Sequence, residues 1–495
     1  MPFHMEVNPA DKYEMVAGLE VHVQLLTKSK LFSRDGASFG AEPNTQVSPV
    51  TLAHPGTLPV LNGKAIEFAV RMGLACHCEI ARFNYFARKN YFYPDLPKGY
   101  QITQDTQPIC HGGFVRIDTP SGDKQVRITR IHLEEDAGKS LHEQDPQDTC
   151  IDFNRAGVPL IEIVSEPDIR SGDEAASFLT ELRKLVRYLD ICDGNMEEGS
   201  MRCDANVSIR LIGVSGLGTR VEIKNMNSIR NVRKAIETEF IRQVQELEAG
   251  RPVKQETRSF DPQKSSSFTL RAKEMANDYR YFPEPDLAPV LLTEHWLDGI
   301  RQSLPELPQQ LITRFTAELG ISAYDARVIA GEKETANYFM ELIRFTDNYK
   351  AAANLILGPV RAWLNTHGYL QEFPVKPEVL AELISLSDAG KIHISLAISR
   401  VLPELVRTPK KSPLEIIASL NLLQENDEEQ LRKIIDQVLG AMPEKVKEYR
   451  NGRKALLGLF AGEVKKLSGG RADPILTLQL LNLQLSKVEK GTNPE

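Results

Sequence analysis

The sequence predicts an α+β protein: a mainly antiparallel-sheet cradle domain followed by an all-α helical segment and an α-helical tail domain. Two observations predict this class. Segments up to about residue 292 are short, and several alternate strictly between apolar and polar residues, as strands with one buried and one solvated face do. Segments beyond this point have the apolar spacing of amphipathic helices, with breakers between them. The predicted domains are 1–292, 293–407 and 408–495.

The strand pattern is clearest in GLEVHVQL, residues 18–25, where the odd-numbered residues are apolar and Glu20 and His22 share the other face. DANVSIRL and TRVEIKN alternate in the same way and predict strands at 204–211 and 219–225. Each of these strands therefore has a dry side and a wet side. Helical spacing predicts helices at 171–191, with a Ser171 cap, and at 227–250.

The composition is that of an ordinary globular chain. Of 495 residues, 41% are hydrophobic and 26% are charged, and the formal net charge is -7. Global charge therefore does not indicate a nucleic-acid partner, and any such contact needs a local basic patch. Six cysteines in so long a chain favour reduced thiols over a disulfide scaffold. The sequence has no apolar run of 18 residues and no signal peptide, so we expect no membrane span and a cytoplasmic location, or the interior of an organelle.

One local basic patch lies in the tail, between residues 445 and 471. It has eight basic residues and only two acids, Glu448 and Glu463. The patch is either a solvated helix face or a surface that contacts phosphates. Its basic residues are Lys445, Lys447, Arg450, Arg453, Lys454, Lys465, Lys466 and Arg471.

The stretch RITRIHLEEDAGKSLH, residues 127–142, sets Glu134, Glu135 and Asp136 side by side before a Gly-Lys-Ser sequence. It is not a P-loop, because Leu133 stands where the first glycine belongs and the residues between are acidic. If the chain uses ATP, the phosphates must therefore be held through a divalent metal such as Mg²⁺, which prefers oxygen ligands. A cation opposite the acids would cancel their repulsion; the alternative is a surface acidic turn.

Other segments offer further acids with basic neighbours. Glu162 interrupts the apolar run PLIEIV, and a lone buried carboxylate is costly, so it needs a partner. Asp204 lies close to Arg202 in MRCDANVSIR. Together with Glu20 and His22, these residues indicate a polar sheet face that could hold metal and phosphate.

Two more segments have alternative interpretations. RKNYFYPDLPKGYQITQ, residues 88–104, interleaves aromatic residues such as Tyr93 with bases such as Lys98, which suits stacking on a nucleotide and holding phosphate, or a structural aromatic seam. Cys76, Cys78 and Cys110 could hold zinc, but their spacing fits a tetrahedral site poorly, and buried reduced thiols are favoured.

The chain resembles the B subunits of the tRNA-dependent aspartyl/glutamyl amidotransferases over essentially its full length. The resemblance rests on motifs that include GLEVHVQL, RKNYFYPDLPKGYQITQ, HLEEDAGKSLH, DFNRAGVPLIEIVSEPDIRS, MEEGSMRCDANVSIR, EIKNMNSIRNVRKAIE, QETRSFD and NDYRYFPEPDL. It implies that the chain uses ATP and Mg²⁺ to phosphorylate the side-chain carboxylate of Glu-tRNA(Gln) or Asp-tRNA(Asn). It further implies that the amidase of the same heterotrimer supplies ammonia from glutamine, that a small third protein joins the other two, and that the tail contacts the tRNA.

This resemblance, with the shared polar strand faces, leads to specific expectations for the site. The residues expected to hold the divalent ion are His22, Glu135 and Glu162. Those expected to complete its shell or orient a second ion are Glu20, Glu134 and Asp204. Those expected to neutralise the negative charge that develops on the γ-phosphate are Arg202 and Lys224. Those expected to bind the cofactor are Lys139, Tyr93 and Lys98. Two rival functions stay open on the local residues alone: a metal-dependent phosphoesterase acting on RNA, and a non-catalytic tRNA-binding scaffold.

Overall fold

The structure is a computed structural model of the chain. It describes residues 9–142, 144–145, 147–272, 279–368, 372–423, 428–469 and 472–486. The chain packs as two compact units, Met1–Pro308 and Gln309–Glu495. Within the described residues, all strands lie in the first unit, and the second is helical. The predicted class, a mainly antiparallel sheet followed by helices, is confirmed.

Three long strands dominate the first unit: β1 (Tyr13–Gln24), β8 (Gly122–Glu135) and β12 (Met201–Leu211). The other described strands are β2 (Glu79–Ile80), β3 (Phe83–Asn84), β4 (Ala87–Asn90), β5 (Tyr100–Thr103), β6 (Cys110–His111), β7 (Phe114–Thr119), β9 (Lys139–Leu141), β10 (Cys150–Asp152), β11 (Pro159–Ser165), β13 (Val221–Met226), β14 (Glu256–Asp261), β15 (Ser266–Ala272), β16 (Phe282–Pro283) and β17 (Val290–Leu291). The three strands predicted from alternation are confirmed as β1, β12 and β13.

Most of these strands join one sheet. Its spatial order is β15-β14-β13-β12-β1-β11-β8-β5-β4-β16, with β2, β6 and β7 attached beside β8. The central strands β12, β1, β11 and β8 pair antiparallel, whereas β13 and β14 pair parallel. The four central strands come from distant parts of the chain, so the sheet gathers residues that are far apart in sequence.

Four helices pack with this sheet: α1 (Gly63–Ala75), α2 (Gly172–Tyr188), α3 (Ile229–Glu248) and α4 (Glu294–Ser303). The two predicted helices are confirmed as α2 and α3. The hydroxyl oxygens of Ser171 and Ser228 accept the backbone N–H groups of Glu174 and Asn231, in the first turns of α2 and α3, as N-caps do. The dry side of β1, including Leu19 and Val21, shares a buried core with these helices. The wet side of β1 is therefore left outside the core.

The second unit is built from short helices. They are α5 (Pro308–Ala317), α6 (Ala323–Ile329), α7 (Lys333–Leu342), α8 (Tyr349–Leu355), α9 (Arg361–His367), α10 (Pro377–Asp388), α11 (Ile394–Leu396), α12 (Leu402–Arg407), α13 (Pro413–Ser419), α14 (Glu428–Ala441), α15 (Pro443–Arg450), α16 (Leu456–Leu467) and α17 (Pro474–Ser486). A π-helical turn, Ile356–Val360, joins α8 to α9 and contains Pro359, which has no N–H to continue the α-helical pattern. Helices α14 to α17 share a small core that includes Ile435, Phe460 and Leu481.

The predicted domain boundaries at 292 and 407 stay predictions. Helix α4, which follows the first of them, buries Leu297 and Ile300 in the core of the first unit. Arg471 of the basic patch, and Asn277 and Asp278 of the last family motif, lie outside the described residues. In the part of the chain that the structure describes, no helix has the length and apolarity needed to cross a bilayer.

Candidate cation and phosphate site

Strand pairing lines up polar residues across the centre of the sheet. His22 of β1 lies opposite Glu162 of β11 on one side and opposite Arg202 of β12 on the other. Glu162 in turn lies opposite His132 of β8. Because directly opposite residues of antiparallel strands project to the same face, these four side chains form one row.

Five side chains of this face make an acid–histidine cluster, which consists of Glu20, His22, His132, Glu134 and Glu162. The Nε2 atom of His22 lies 3.3 Å from a carboxylate oxygen of Glu162, 3.5 Å from Glu134 and 3.6 Å from Glu20. The Nε2 atom of His132 lies 3.7 Å from Glu162 and 3.9 Å from Glu134. Two overlapping sets of ligand atoms, each spanning no more than 4.8 Å, therefore share Glu162.

Burial makes the charges of this cluster strongly interdependent. Glu134 is only 4% exposed and Glu162 only 7%. Burial, followed by the negative charge of Glu162, raises the pKa of Glu134 to about 7. Burial alone would raise the pKa of Glu162 as well, but His132 and His22 outweigh it, so the pKa of Glu162 is lowered. Glu162 is thus ionised at neutral pH, whereas Glu134 titrates close to pH 7.

The two histidines of the cluster differ in protonation. Burial lowers the pKa of His22, but its hydrogen bond to Glu162 and the nearby carboxylates outweigh this effect and raise that pKa to about 9. Burial lowers the pKa of His132 to about 4, so its imidazole is neutral at pH 7. Its Nδ1 atom is buried without a hydrogen-bond partner among the described residues. Three carboxyl groups therefore face one protonated imidazole and one neutral one, and the guanidinium of Arg130, which is 39% exposed, lies 4.0 Å from Glu162.

The expected grouping of Glu135 with His22 and Glu162 needs correction. Strand β8 continues through Glu135, so Glu134 and Glu135 project to opposite faces. The carboxylate of Glu135 is paired with the ammonium of Lys98 and accepts the backbone N–H of Ile102 at 2.8 Å. The place beside His22 that was expected for Glu135 is occupied by Glu134.

Arg202, the next residue of the row, has a partner of its own. Its guanidinium donates to Asp136 Oδ2 at 2.9 Å, and Gln24 Nε2 donates to the same oxygen at 2.8 Å. Arg155 lies 3.6 Å from that carboxylate. Burial would raise the pKa of Asp136, but the two guanidinium groups and the Gln24 hydrogen bond lower it. The third acid of the Glu-Glu-Asp triplet is therefore fixed by basic side chains.

Asp204 and Lys224 also form a pair. Asp204 lies opposite Glu20 on the neighbouring strand, and its carboxylate is bound by the Lys224 ammonium, which also lies 3.1 Å from Glu222. Burial opposes the charged form, but these two acids raise the pKa of Lys224. Asp204 and Lys224 thus form an ion pair next to the cluster, on the side of Glu20.

The residues expected to bind the cofactor are dispersed. Lys98 is held by Glu135, whereas Lys139 lies at a separate cavity. Tyr93 is 57% exposed and packs edge-on to Tyr91. The structure therefore does not bring Lys98, Lys139 and Tyr93 together as one group.

Two residues near the cluster, His132 and Lys89, are not among the site residues predicted from the sequence. Alternation along β8 groups His132 with Glu134 on one polar face, but this pattern alone gives His132 no role in the site. Lys89 sits over the rings of Tyr91 and Tyr279, with its Nζ atom 5.9 Å and 4.9 Å from the ring centres. Burial opposes its charge, but Glu134 and Glu162 raise the pKa of Lys89. The order of basic and aromatic residues in 88–104 did not distinguish Lys89 from Lys98.

The three cysteines considered for zinc are buried. Burial raises the pKa of Cys78 to about 12, and raises those of Cys76 and Cys110 well above the ordinary value. Among the described residues, none of these thiols belongs to a group of three or more metal-binding side chains.

The fold and the cluster define a class: a protein whose mainly antiparallel sheet presents, on one face, carboxylates and imidazoles close enough together that they could hold a metal ion. A family model described as the GatB/GatE catalytic domain matches residues 15–298, and one described as the GatB domain matches residues 337–485. The chain belongs to this family, that of the B subunits of the aspartyl/glutamyl-tRNA(Asn/Gln) amidotransferases.

Full-length relatives support this membership. The chain is 48% identical to the B subunit of the aspartyl/glutamyl-tRNA(Asn/Gln) amidotransferase of Geotalea daltonii, over 95% of its own length and 98% of that protein. The same identity and coverage hold for the corresponding protein of Thermodesulfovibrio yellowstonii. The corresponding protein of a Synechococcus species is 47% identical over 96% of this chain and 98% of its own length.

Proposed function

We propose that this chain is the kinase subunit of a tRNA-dependent amidotransferase, a carbon–nitrogen ligase. It transfers the γ-phosphoryl group of ATP to the side-chain carboxylate of glutamate on tRNA(Gln), of aspartate on tRNA(Asn), or of both. An amidase partner supplies ammonia, and a small third protein completes the heterotrimer in the cytoplasm or an organelle interior. The observation that carries the proposal is the acid–histidine cluster, where three carboxyl groups face one protonated imidazole.

The cluster fits a divalent cation. Its carboxylate oxygens suit Mg²⁺, and the imidazole of His132 is desolvated on its Nδ1 side without a hydrogen bond from any described residue. We propose that Glu20, His22, Glu134 and Glu162 hold the ion, with His132 beside them. When bound, such an ion neutralises charge on phosphate oxygens.

The chemistry needs an activated carboxyl group, because oxide is a very poor leaving group. A carboxylate oxygen of the substrate attacks the γ-phosphorus, and the bond from that phosphorus to the bridging oxygen breaks to release ADP. Ammonia then attacks the acyl carbon, phosphate leaves, and the nitrogen loses a proton. Phosphoryl transfer of this kind depends mainly on positioning and charge neutralisation.

Residues around the cluster serve those two needs. Lys89 is held over two tyrosine rings close to the acids, where its ammonium can meet a phosphate oxygen or the substrate carboxylate. Arg202 is fixed by Asp136 at the end of the same row and presents positive charge beside the cluster. Burial of Glu134 and Glu162 lowers the local dielectric, which strengthens each of these interactions.

The test uses the heterotrimer, in which the chain is co-expressed with the amidase and the small third protein. Glu162→Ala and Glu134→Ala should each lower the rate of Glu-tRNA-dependent ADP formation on the order of 10³-fold, because they remove charge from the centre of the cluster. The affinity for tRNA should be retained. Glu166→Ala is the matched control, since Glu166 accepts a hydrogen bond from Thr129 outside the cluster. Undiminished phosphorylation in both cluster variants would refute the proposed site.

The same preparation distinguishes the rival functions. A metal-dependent phosphoesterase would cleave deacylated tRNA without ATP, and a non-catalytic scaffold would show no Glu-tRNA-dependent ADP formation at all. Amidation of each misacylated tRNA with glutamine and ATP identifies which substrates the enzyme accepts.

We further propose that the tail contacts the tRNA. Seven of the eight basic residues of the patch are described, and all seven are exposed. Lys447 and Arg453 are paired with Glu444 and Glu448, whereas Lys445 and Lys465 have no acidic partner among the described residues.

Lys445→Glu with Lys465→Glu should weaken tRNA binding and lower its salt dependence. The log–log slope should fall by about 0.7–0.9 for each phosphate that is no longer bound. Deleting 408–495 should lower tRNA affinity but leave cation binding at the cluster. Unchanged tRNA affinity after that deletion would exclude the contact.

A further inference from the structure

Strand β13 carries an extra residue beside the cluster. The pairing of β12 with β13 shifts its register between Cys203 and Ala205. Asp204, the single residue of β12 between them, lies opposite two residues of β13, Lys224 and Asn225. Two residues against one is the arrangement of a β-bulge, and such bulges are common next to active sites, where they re-aim a side chain. No step of the proposed phosphoryl transfer uses this bulge.

The bulge changes which residues of β13 face the core. Ile223 and Met226 are three residues apart, yet both are buried in the core of the first unit. Strict alternation would put them on opposite faces, so one residue between them is extra. That residue is Asn225, which is exposed. Lys224 therefore stays on the side of the sheet where Asp204 lies, while the next apolar residue returns to the core.

Asn225 has a backbone conformation that few residues adopt. Its φ angle is 66°, in the left-handed region, where asparagine is one of the few residues other than glycine to occur. Its Nδ2 atom donates to the Oγ atom of Ser259 at 2.8 Å. Ser259 is 4% exposed and lies opposite Lys224 on the neighbouring strand β14. The bulge is therefore fixed from β14 as well as by its own backbone.

The ammonium of Lys224 is the group that the bulge places. It binds the carboxylate of Asp204 and lies 3.1 Å from Glu222. Glu222 is itself held, because the hydroxyl of Thr257 donates to its Oε2 atom at 2.7 Å, and Thr257 is only 1% exposed. Among the described residues these two acids are the ion-pair partners of the lysine. An ammonium has three N–H donors, so one is left for a further acceptor.

Asp204 connects this lysine to the cluster. It lies directly opposite Glu20 of β1, so the two side chains project to the same face. A carboxylate oxygen of Glu20 in turn lies 3.6 Å from the Nε2 atom of His22. A positive charge fixed at this place can neutralise the charge that develops on a transferring phosphoryl group. A group that acts in this way is effective only if it is in position before the reaction.

We propose that Asn225 is a positioning residue for phosphoryl transfer and that it acts through Lys224. Its left-handed backbone and its bond to Ser259 hold the ammonium between Asp204 and Glu222. The third N–H of the ammonium then meets the phosphoryl group during its transfer. The inference rests on the proposed function for this last step, whereas the placement of the ammonium does not depend on it.

The first experiment measures the placement of the lysine directly. The heterotrimer is treated with a limiting amount of acetic anhydride, and mass spectrometry gives the rate at which Lys224 is acetylated. An ammonium held between two carboxylates reacts slowly, because only the neutral amine is acylated. Asn225→Val should raise this rate on the order of tenfold, since a β-branched residue is strained at positive φ. Asn225→Gly tolerates that φ and should stay within about threefold of wild type.

Equal acetylation rates in wild type and Asn225→Val would overturn the proposal, as would a rate in Asn225→Gly as high as that in Asn225→Val. The matched control is Ser265→Val. Ser265 also has a left-handed backbone, with φ at 49°, but it lies in the exposed turn between β14 and β15. The control introduces the same kind of strain and should leave the reactivity of Lys224 unchanged. A rise equal to that in Asn225→Val would assign the change to a general loosening of the sheet and overturn the proposal.

The second experiment measures the catalytic consequence. Asn225→Val should lower kcat for Glu-tRNA-dependent ADP formation on the order of tenfold and change KM for ATP much less, because charge neutralisation acts in the transition state. In a Lys224→Met background the same substitution should have little further effect, since the group through which it acts is gone. Independent losses that multiply in the double variant would show that Asn225 acts on the fold and would overturn the proposal.

These measurements also separate the bulge from the proposed function. Loss of phosphorylation in Glu162→Ala with wild-type kcat in Asn225→Val refutes only the positioning role. Faster acetylation of Lys224 in Asn225→Val, in a heterotrimer that does not phosphorylate Glu-tRNA, supports the placement of the ammonium and refutes only the proposed reaction.

Discussion

Glu134 and Glu135 are consecutive residues of one strand, yet their carboxyl groups lie on opposite faces of the sheet in different surroundings. Glu135 is neutralised by Lys98, a cation of the chain itself. Glu134 meets His22 and other carboxylates, and its pKa is raised to about 7. The comparison teaches that Glu135 has a lysine partner of its own, whereas the carboxylates around His22 share one protonated imidazole, with the guanidinium of Arg130 4.0 Å from Glu162.

The largest effect should come from the residue that both sets of ligand atoms share. Glu162→Gln should weaken the binding of Mn²⁺, used as a paramagnetic probe, on the order of 10³-fold, since removing one partner of a buried charge pair costs about 3–5 kcal/mol. Electron paramagnetic resonance of free and bound Mn²⁺ measures this change. Glu135→Gln is the control and should bind Mn²⁺ nearly as wild type does. An equally large loss in the control would show that Glu135 also binds the ion. The two faces of the sheet would then not differ in cation binding.

The second largest effect concerns the ion pair between Lys98 and Glu135 on the opposite face of the sheet. Lys98→Met leaves the carboxylate of Glu135, which is only 3% exposed, without its cation. Because Lys98 keeps some contact with solvent, we expect a loss of about 2–3 kcal/mol in the free energy of unfolding, below the upper end for a fully buried pair. Thermal unfolding measures it. The double variant Lys98→Met with Glu135→Gln should recover most of the loss, since the amide oxygen of glutamine can still accept the N–H of Ile102. A double variant as unstable as the single one would show that the lysine acts through packing and not through charge.

The smallest effect is a pH dependence of the cluster. The pKa of His22 is raised from 6.5 to about 9, so its protonated form stabilises the cation-free protein fully below pH 6.5, and this stabilisation is lost as the pH rises through 9. A bound cation must displace that proton, so Mn²⁺ affinity should rise about tenfold between pH 7 and pH 8 and level off above pH 9. Titrations at several pH values test this. His22→Gln should remove most of the slope above pH 7 and leave only the smaller contribution of Glu134, whose pKa is about 7 and which is almost fully ionised by pH 8. An unchanged slope in that variant would assign the proton to another group.

Much of this arrangement could be predicted from alternation. The period-two pattern of residues 18–25 put Glu20 and His22 on one face, and the acid within an apolar run singled out Glu162. These three residues lie together in the structure. Alternation was informative here because each strand has one face buried in a core, which fixes its register.

The choice between Glu134 and Glu135 could not be made from the local sequence. In a strand the two residues must project to opposite faces, but selecting the one beside His22 requires knowing which strands neighbour β8, and that depends on pairing between distant segments. The same limit explains why Lys98 was assigned to a cofactor: its partner is 37 residues away. The cavity beside Lys139 could not be predicted either, because residues 42–46 meet Asp152 and Asn154 through hydrogen bonds between segments that are more than a hundred residues apart.

The strand order of the central sheet has a consequence for how the protein is made. β1 lies between β11 and β12, both of which are more than a hundred residues further along the chain. At about 5–20 residues per second, a ribosome leaves β1 without either neighbour for on the order of ten seconds. Both of its edges are open to foreign strands during that time, and strand edges of this kind promote aggregation. The strand order therefore makes β1 the part of the central sheet that waits longest for its neighbours during synthesis.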